Sequence, residues 1–342
     1  MSMEIQIIGS MGEGGGQVLR TALALSVATG RAFTISGIRA NRPRPGMKRQ
    51  HLACVRAAAA ISGAEVIGAE INSASLSFRP SARPSGGDYR FDIGGGGSCT
   101  LVLQAVLPPL MTAESASTIT VCGGTHVPMA PVYEFFSQTL LPRLEKMGPR
   151  LSARLLRPGF MQVGGGVMEV SISPVRELQP LEMVEVESGF ELEGFIRSYG
   201  LPESIAEREA AVLGRLRSIQ KVTVENLNPG ETGAGNVALL KLTRQDGVTI
   251  TSGVAQRGLA AEKVARQATS RMLQFLKADV PVEACLADQL IVPLALASGG
   301  RFITEKPTLH TQTVLELLPY FTDLKTSLTE VSSRSWLVEI KK

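Results

Sequence analysis

Gly12-Glu13-Gly14-Gly15-Gly16-Gln17-Val18-Leu19-Arg20 follows an alternating strand pattern, Met3-Glu-Ile-Gln-Ile-Ile8, and opens an apolar helix over about 16–29. Glycine lets the backbone turn sharply and come close to a bulky neighbour, at an entropic cost. Glu13 stands inside the turn, where a carboxylate can meet a divalent cation. Gln17 and Arg20, three residues apart, share one face of the helix behind it. A carboxylate, an amide and a guanidinium around a glycine turn suit a polyphosphate. Alone, the stretch reads more readily as a tight strand-to-helix connection with incidental polar residues.

What decides the fold is recurrence. After helix 16–29 come a strand at Phe33–Ile38, a second helix over about 48–62, and short strands near Ala64–Gly68 and Ser75–Phe78. The order then replays. Tyr89–Ile93 is a strand, Gly94-Gly-Gly-Gly-Ser-Cys-Thr-Leu-Val-Leu-Gln104 opens a helix, and Thr118–Cys122 is a strand. Helix 131–147 and strands near Leu151–Leu155 and Gly166–Ile172 complete the second copy. A third, partial copy closes the chain: helix Leu286–Ala297, strand Arg301–Thr304, helix His310–Tyr320 and the hairpin Leu324–Val331 with Trp336–Ile340. Each copy reads βαβαββ, with one apolar sheet face that helices must cover. The expectation is an α/β chain of three such units packed around a pseudo-threefold axis. Residues 184–280 break the rhythm with a βαβββα pattern of their own, read as a small thioredoxin-like domain inserted between the second and third repeats. The large domain is then 1–183 plus 281–342.

A chain of 342 residues with 44% hydrophobic and 19% charged residues can bury a sizeable core and is not disordered. The net charge of +4 gives no global field for nucleic acid, so local clustering carries the argument. Arg39, Arg42, Arg44, Lys48 and Arg49 fall in one Pro- and Gly-bearing stretch without an acidic residue. It reads as a phosphate-gripping loop or, equally, a solvated basic one. Cys54, Cys99, Cys122 and Cys285 form no CxxC pair, which argues for reduced thiols and against zinc or a disulfide framework. No basic-plus-apolar leader opens the chain, and no run of eighteen uncharged apolar residues occurs, so a cytoplasmic protein without a membrane span is expected.

His310 follows Lys306-Pro307-Thr308-Leu309 and starts the last long helix. A positive helix end disfavours the imidazolium, leaving a neutral ring able to attack phosphorus. A solvated or capping histidine fits the same position. Asp288 and Gln289, in Cys285-Leu-Ala-Asp-Gln-Leu290, either bond a ligand or cap the helix they introduce. Gly94–Gly97 with Ser98 and Gln104 is a second glycine turn on a helix N-terminus. Gly123-Gly-Thr-His-Val-Pro-Met-Ala-Pro131 is a proline-rich turn. Neither GxGxxG nor GxxxxGK[ST] occurs in a strand-helix context, which excludes Rossmann and P-loop sites.

Together, Glu13–Arg20, Ile38-Arg-Ala-Asn-Arg42, Pro45-Gly46, Arg49-Gln-His-Leu52, Gly97–Gln104, Leu286-Ala-Asp-Gln289 and His310 resemble the RNA 3′-terminal phosphate cyclases. Glu207-Arg208-Glu209 and Gly233-Ala-Gly-Asn236 extend the likeness into the insert. The resemblance implies a three-step ligase-type reaction. His310 attacks the α-phosphorus of ATP and becomes adenylylated as pyrophosphate leaves. AMP passes to the 3′-terminal phosphate of an RNA, and the vicinal 2′-hydroxyl closes a 2′,3′-cyclic phosphate and expels AMP. It also implies that Glu13 works with Mg²⁺ or Mn²⁺, that Arg20, Arg39, Arg42 and Gln50 hold phosphates and the RNA end, and that Gln104, Pro131, Cys285, Leu286, Ala287, Asp288 and Gln289 form the adenosine pocket. Position 285, where relatives can carry a tyrosine against adenine, is Cys, which offers less stacking surface.

Three rival readings differ in what they need. The non-cyclase branch of the same superfamily, which acts in ribosome assembly, lacks the nucleophilic histidine. An enolpyruvyl transferase also repeats α/β units but would show no insert. A purely RNA-binding module would use the basic loop without turnover. The partners expected are ATP and an RNA bearing a 3′-terminal phosphate, no membrane, with a homodimer left open.

Overall fold

β1 (Ile5–Ile8) alternates buried and exposed side chains, as a strand covered on one face must. The computed structural model describes residues 4–161, 163–228, 230 and 233–342; Met3, where the sequence pattern starts this strand, lies outside the described residues. The chain turns through Gly12 and Gly14, both at positive φ (53° and 58°), into α1 (Gly16–Thr29), which ends on a left-handed Gly30. β2 (Phe33–Ser36), α2 (Arg49–Ser62), β3 (Glu65–Ile67) and β4 (Ser75–Arg79) complete the first βαβαββ unit. Its sheet order is β1-β2-β4-β3, with β1 parallel to β2 and the other pairs antiparallel.

The second unit repeats this wiring. β5 (Asp88–Asp92), α3 (Cys99–Leu110) and β6 (Ser117–Gly123) lead to α4 (Tyr133–Phe135), which passes through a π turn at Phe136–Leu140 into α5 (Leu141–Glu145). β7 (Arg150–Arg157) and β8 (Gly166–Ser173) close a sheet of order β5-β6-β8-β7. A π turn leaves a local misfit in the helix ladder. Here it presents Thr139 Oγ1 sideways, to accept the N–H of Ile250 at 3.0 Å.

The third unit holds the main departure from the sequence reading. β9 (Leu181–Met183) is followed by the block β10 (Glu191–Tyr199), α6 (Glu203–Leu213), β11 (Lys221–Leu227), β12 (Gly235–Arg244), β13 (Gly247–Val254) and α7 (Ala261–Ala278). Only then come α8 (Ala284–Leu296), β14 (Gly300–Thr304), α9 (Leu309–Phe321), β15 (Lys325–Ser332) and β16 (Ser335–Lys341). β9 pairs in parallel with β14 through Gly300–Phe302, giving the order β9-β14-β16-β15 of the other two units. The third copy is therefore complete, and the block enters inside it, between its first strand and first helix. A three-residue strand is too short to show a period, which is why the sequence makes this copy look partial.

The inner helices of the three units, α1, α3 and α8, touch one another in all three pairs, as three equivalent units sharing one centre require. The block between β9 and α8 has the order β11-β10-β12-β13, a βαβ half joined to a ββα half. One face of this sheet packs Leu192, Ile196, Leu240 and Leu242 against α6 and α7. The other face adds Val237, Leu239, Ile250 and Val254 to the main core. Its sheet is thus buried on both sides, with Lys146 Nζ donating to Asp246 O at 2.9 Å along the seam.

Candidate active site

The first turns of α1, α8 and α9 open on one cavity of about 260 Å³, with α3 as its floor and β13 opposite. At its polar end the side chain of His310 sits in the first turn of α9, behind the N-cap Thr308, whose Oγ1 accepts the N–H of Thr311 at 3.2 Å. The imidazole is 44% exposed, yet its Nδ1 is buried, has no hydrogen-bond partner among the described residues and stands 3.8 Å from Glu13 Oε1. The exposed part of the ring is therefore the Nε2 side, which leaves Nε2 as the nitrogen open to a ligand. Burial, then the charges of Arg20 and Arg42, push the His310 pKa down, while Glu13 pulls it the other way. The sequence credits the helix end with keeping this ring neutral; the neighbouring guanidinium groups and enclosure do so more directly.

Glu13 is fixed at three points. Its backbone N–H donates to Thr313 Oγ1 at 3.0 Å, its Oε1 accepts from Gln17 N at 3.2 Å, and its Oε2 pairs with Arg42 Nη2. The carboxylate is 6% exposed. The glycines around it keep these groups in place: a Cβ on Gly12 would strike Thr313 Oγ1, and one on Gly15 would displace Glu13 Oε1. Arg20, nearly fully buried, donates from Nη2 to Gln17 Oε1 at 2.6 Å and from Nε to Gln104 Oε1 at 2.9 Å. A buried cation held by two neutral amides keeps unspent charge for an anion.

The side of the cavity formed by α8 is acidic. Burial pushes Asp288 up to about 7, with Arg20 opposing, and Gln104 hydrogen-bonds it. Cys285 and Asp288 have surface open to the cavity although protein encloses them on the remaining sides, and burial raises the Cys285 thiol well above its usual range. Asp288 and Gln289 do not cap the helix. That task falls to Glu283, whose Oε2 accepts the N–H groups of Cys285 and Leu286 at 2.9 and 3.2 Å. Gln289 Nε2 instead donates to Cys285 O at 3.0 Å.

Of the residues singled out in the sequence, Arg20, Gln104, Pro131, Cys285, Asp288, Gln289 and His310 line the cavity, and Glu13 stands behind His310. Leu286 and Ala287 are buried residues of α8 that do not line the cavity. Gln50 is turned to the second glycine turn, accepting from Ser98 N at 2.7 Å. Arg39, at φ 56°, donates to Arg44 O and Gly46 O at 2.6 and 2.8 Å, so its guanidinium braces its own loop. Sequence reasoning missed Phe135, Thr313 and the contribution of Ile250, Thr251, Ser252 and Arg271 from the inserted block. Nothing in their local sequence marks them: Thr313 is placed by α9 against the Glu13 turn, and the residues of the inserted block reach the cavity through the docking of β13 on the π turn.

Among the described residues no group of three or more His, Cys, Asp or Glu side chains is placed to hold a metal ion unaided. A single carboxylate such as Glu13, working with nucleotide phosphates, is the donor set that Mg²⁺ commonly takes. No helix among the described residues is long and apolar enough to cross a membrane.

The chain is similar to the solved structure of the enolpyruvyl transferase NikO from Streptomyces tendae, with 11% identity and a TM-score of 0.38. That likeness covers 99% of this chain and 48% of the transferase, so the chain spans about half of that protein's length, and nothing of its activity transfers. Residues 11–328 match the family model described as RNA 3′-terminal phosphate cyclase. A match over nearly the whole length, on a scaffold of three βαβαββ units with one insertion, means that the chain belongs to the RNA 3′-terminal phosphate cyclase family.

Proposed function

We propose that the protein converts an RNA 3′-terminal phosphate to a 2′,3′-cyclic phosphate with ATP, through AMP carried covalently on His310. The observation that carries this reading is one juxtaposition: a half-exposed histidine with a free Nε2 edge, backed by Glu13 and beside the buried Arg20, at the edge of a cavity lined by both polar and apolar side chains.

In the first step the Nε2 lone pair attacks the α-phosphorus of ATP. The N–P bond forms as the bond to pyrophosphate breaks. Arg20 and Arg42 neutralise phosphate charge there, and Glu13 opposite Nδ1 favours the tautomer with its proton on Nδ1 and its lone pair on Nε2. A divalent cation held by Glu13 with the phosphates would supply further charge neutralisation and orient the leaving group. In the second step an oxygen of the RNA 3′-phosphate takes the AMP and frees the histidine. In the third the 2′-oxygen attacks the activated phosphate, its proton leaves to solvent or base, and AMP departs. Adenylylation gives a terminal phosphate the leaving group it lacks, and the vicinal hydroxyl makes closure unimolecular.

Among the lining residues Leu101, Pro131, Phe135 and Ile250 offer apolar surface for the base, and Asp288 with Gln289 offers polar groups to the sugar. Cys54, Cys99 and Cys122 are buried free thiols, which suits a reducing, cytoplasmic setting.

The test is incubation with α-labelled ATP followed by denaturation. Wild type should retain acid-labile AMP on the protein, and His310→Ala and His310→Asn should retain none while folding normally. Labelling of either variant above trace would place the nucleophile elsewhere.

A further inference from the structure

The turn Gly123–Pro131 carries a histidine to which the reaction above gives no task. His126 is fully buried. Its Nδ1 lies 2.9 Å from Thr125 Oγ1, and its Nε2 lies 2.9 Å from Glu134 Oε2. The second oxygen of Glu134, Oε1, accepts from Arg197 Nη1 at 2.5 Å, and Arg197 Nε donates to Glu225 Oε2 at 2.8 Å. Rings follow the same line: His126 stacks on Phe160 at 5.6 Å between centroids, and Phe160 meets Tyr199 in a tilted contact at 5.4 Å.

The two ends of this relay belong to the two parts of the chain that supply opposite walls of the cavity, although no relay residue itself lines it. His126 and Glu134 bracket the loop whose Met129, Ala130 and Pro131 line it, and Glu134 is the immediate neighbour of the lining residue Phe135. Arg197 and Glu225 belong to the inserted block, on β10 and β11. Across the sheet Arg197 pairs with Val237, and Val237 with Val254, on the strand whose Ile250, Thr251 and Ser252 form the facing wall. Arg271 of α7 completes that wall.

Ionised groups taken from water cost more than an apolar contact of the same size, so affinity between the two parts is a poor reason for the relay. Its better-attested use is to fix a single register. Burial would lift the Glu134 carboxyl, but His126 and Arg197 overcome this and hold it down at about 2. Apolar faces such as Val237 and Leu239 on the main core tolerate small slides; a carboxylate gripped from both sides does not.

We infer that the inserted unit is the fourth wall of the nucleotide cavity, and that the His126–Glu134–Arg197–Glu225 relay positions that wall against the Met129–Pro131 loop. The inference rests on the reading that this cavity takes ATP. Arg197 and Glu134 are positioning residues: neither lines the cavity.

The experiment titrates ATP into the non-reacting His310→Ala protein carrying Arg197→Ala, Arg197→Lys or Glu225→Gln, with thermal unfolding of each. A wall that loses its fixed position loses pre-organised contacts to the nucleotide without touching the reacting atoms, so Arg197→Ala should weaken ATP binding about tenfold or more, with Arg197→Lys and Glu225→Gln in between. With His310 present, the same substitutions should raise KM for ATP while leaving the self-adenylylation rate at saturating ATP within about twofold. If Arg197→Ala does not fold, the two milder variants decide. Variants that fold, melt earlier and bind ATP as the parent does would reduce the relay to a structural tie and overturn the inference. A parent that binds no ATP would instead overturn the cavity reading itself, and the relay's role with it.

Discussion

Thr313→Val tests whether the glycine turn and the nucleophile are built as one piece. Thr313 is fully buried on α9, one turn after His310, and its Oγ1 does two things. It donates to Leu309 O at 2.6 Å and accepts the backbone N–H of Glu13 at 3.0 Å. Valine keeps the shape but removes the acceptor. Leu309 O keeps the helix N–H of Thr313, so the first loss is minor, but the Glu13 N–H is left without its partner. An orphaned, partly buried donor costs about 1–2 kcal/mol. Either that cost is met as lost stability, or the turn shifts to let water reach the N–H. In the second case Glu13 leaves its place 3.8 Å from His310 Nδ1. If the whole amount is expressed as misalignment in the adenylylation transition state, the rate falls about 5- to 30-fold. The assay is the time course of AMP incorporation from α-labelled ATP at saturation, run beside a thermal melt. Thr313→Ser, which keeps the hydroxyl, should stay near wild type. A valine variant that melts a few degrees earlier but adenylylates within twofold of wild type would show the contact to be structural and the one-piece reasoning wrong.

Two further predictions concern charge and the base. Because burial and the charges of Arg20 and Arg42 lower the His310 pKa, self-adenylylation should persist below the ordinary imidazole value of 6.5; Arg42→Ala should move its acid limb to higher pH, and Glu13→Gln, which removes the opposing pull, to lower pH. A limb that moves with neither substitution would mean that another group titrates. Cys285 is exposed and lines the cavity, so Cys285→Tyr should tighten ATP binding to the His310→Ala protein; base–aromatic stacking of about 1–3 kcal/mol corresponds to about 5- to 150-fold. Unchanged affinity in a folded variant would place residue 285 away from the base, and weaker affinity would indicate a clash with Met129 or Pro131.

The three-unit scaffold was legible because glycine turns punctuate long apolar helices, and both signals are local. Gly12–Gly16 and Gly94–Gly97 stand at equivalent points, each between the first strand and the first helix of its unit. β9 was not legible, since three residues carry no period and its identity lies in its pairing with β14. The polar half of the site was legible for the same reason as the helices: Glu13, Gln17 and Arg20 sit on one turn, and His310 opens a helix after a proline. At Arg39 the basic pattern does not reveal that the residue sits at positive φ and that its Nη1 donates to two carbonyls of its own loop. The apolar wall was invisible, because Ile250 and Phe135 come together only when β13 docks on the π turn.

The point of insertion explains how a block so far along the chain reaches the site. Placed between complete repeats, it would return to the body at β9, the outer strand of the third sheet, which does not line the cavity. Placed between β9 and α8, it returns to the body at Glu283, the residue that caps α8 and lines the cavity. The chain leaving α7 therefore runs directly into the Cys285–Gln289 turn, and Arg271, two turns before the end of α7, faces the same space. An insertion at the matching junction of the first unit would fall at the Glu13 turn, and of the second at Gly94–Gly97. The first of these must stay short and glycine-rich to hold Glu13 behind His310, and the second packs directly on Gln50 and Arg49. Only the third junction is free to carry a further wall without disturbing the groups that would handle phosphate.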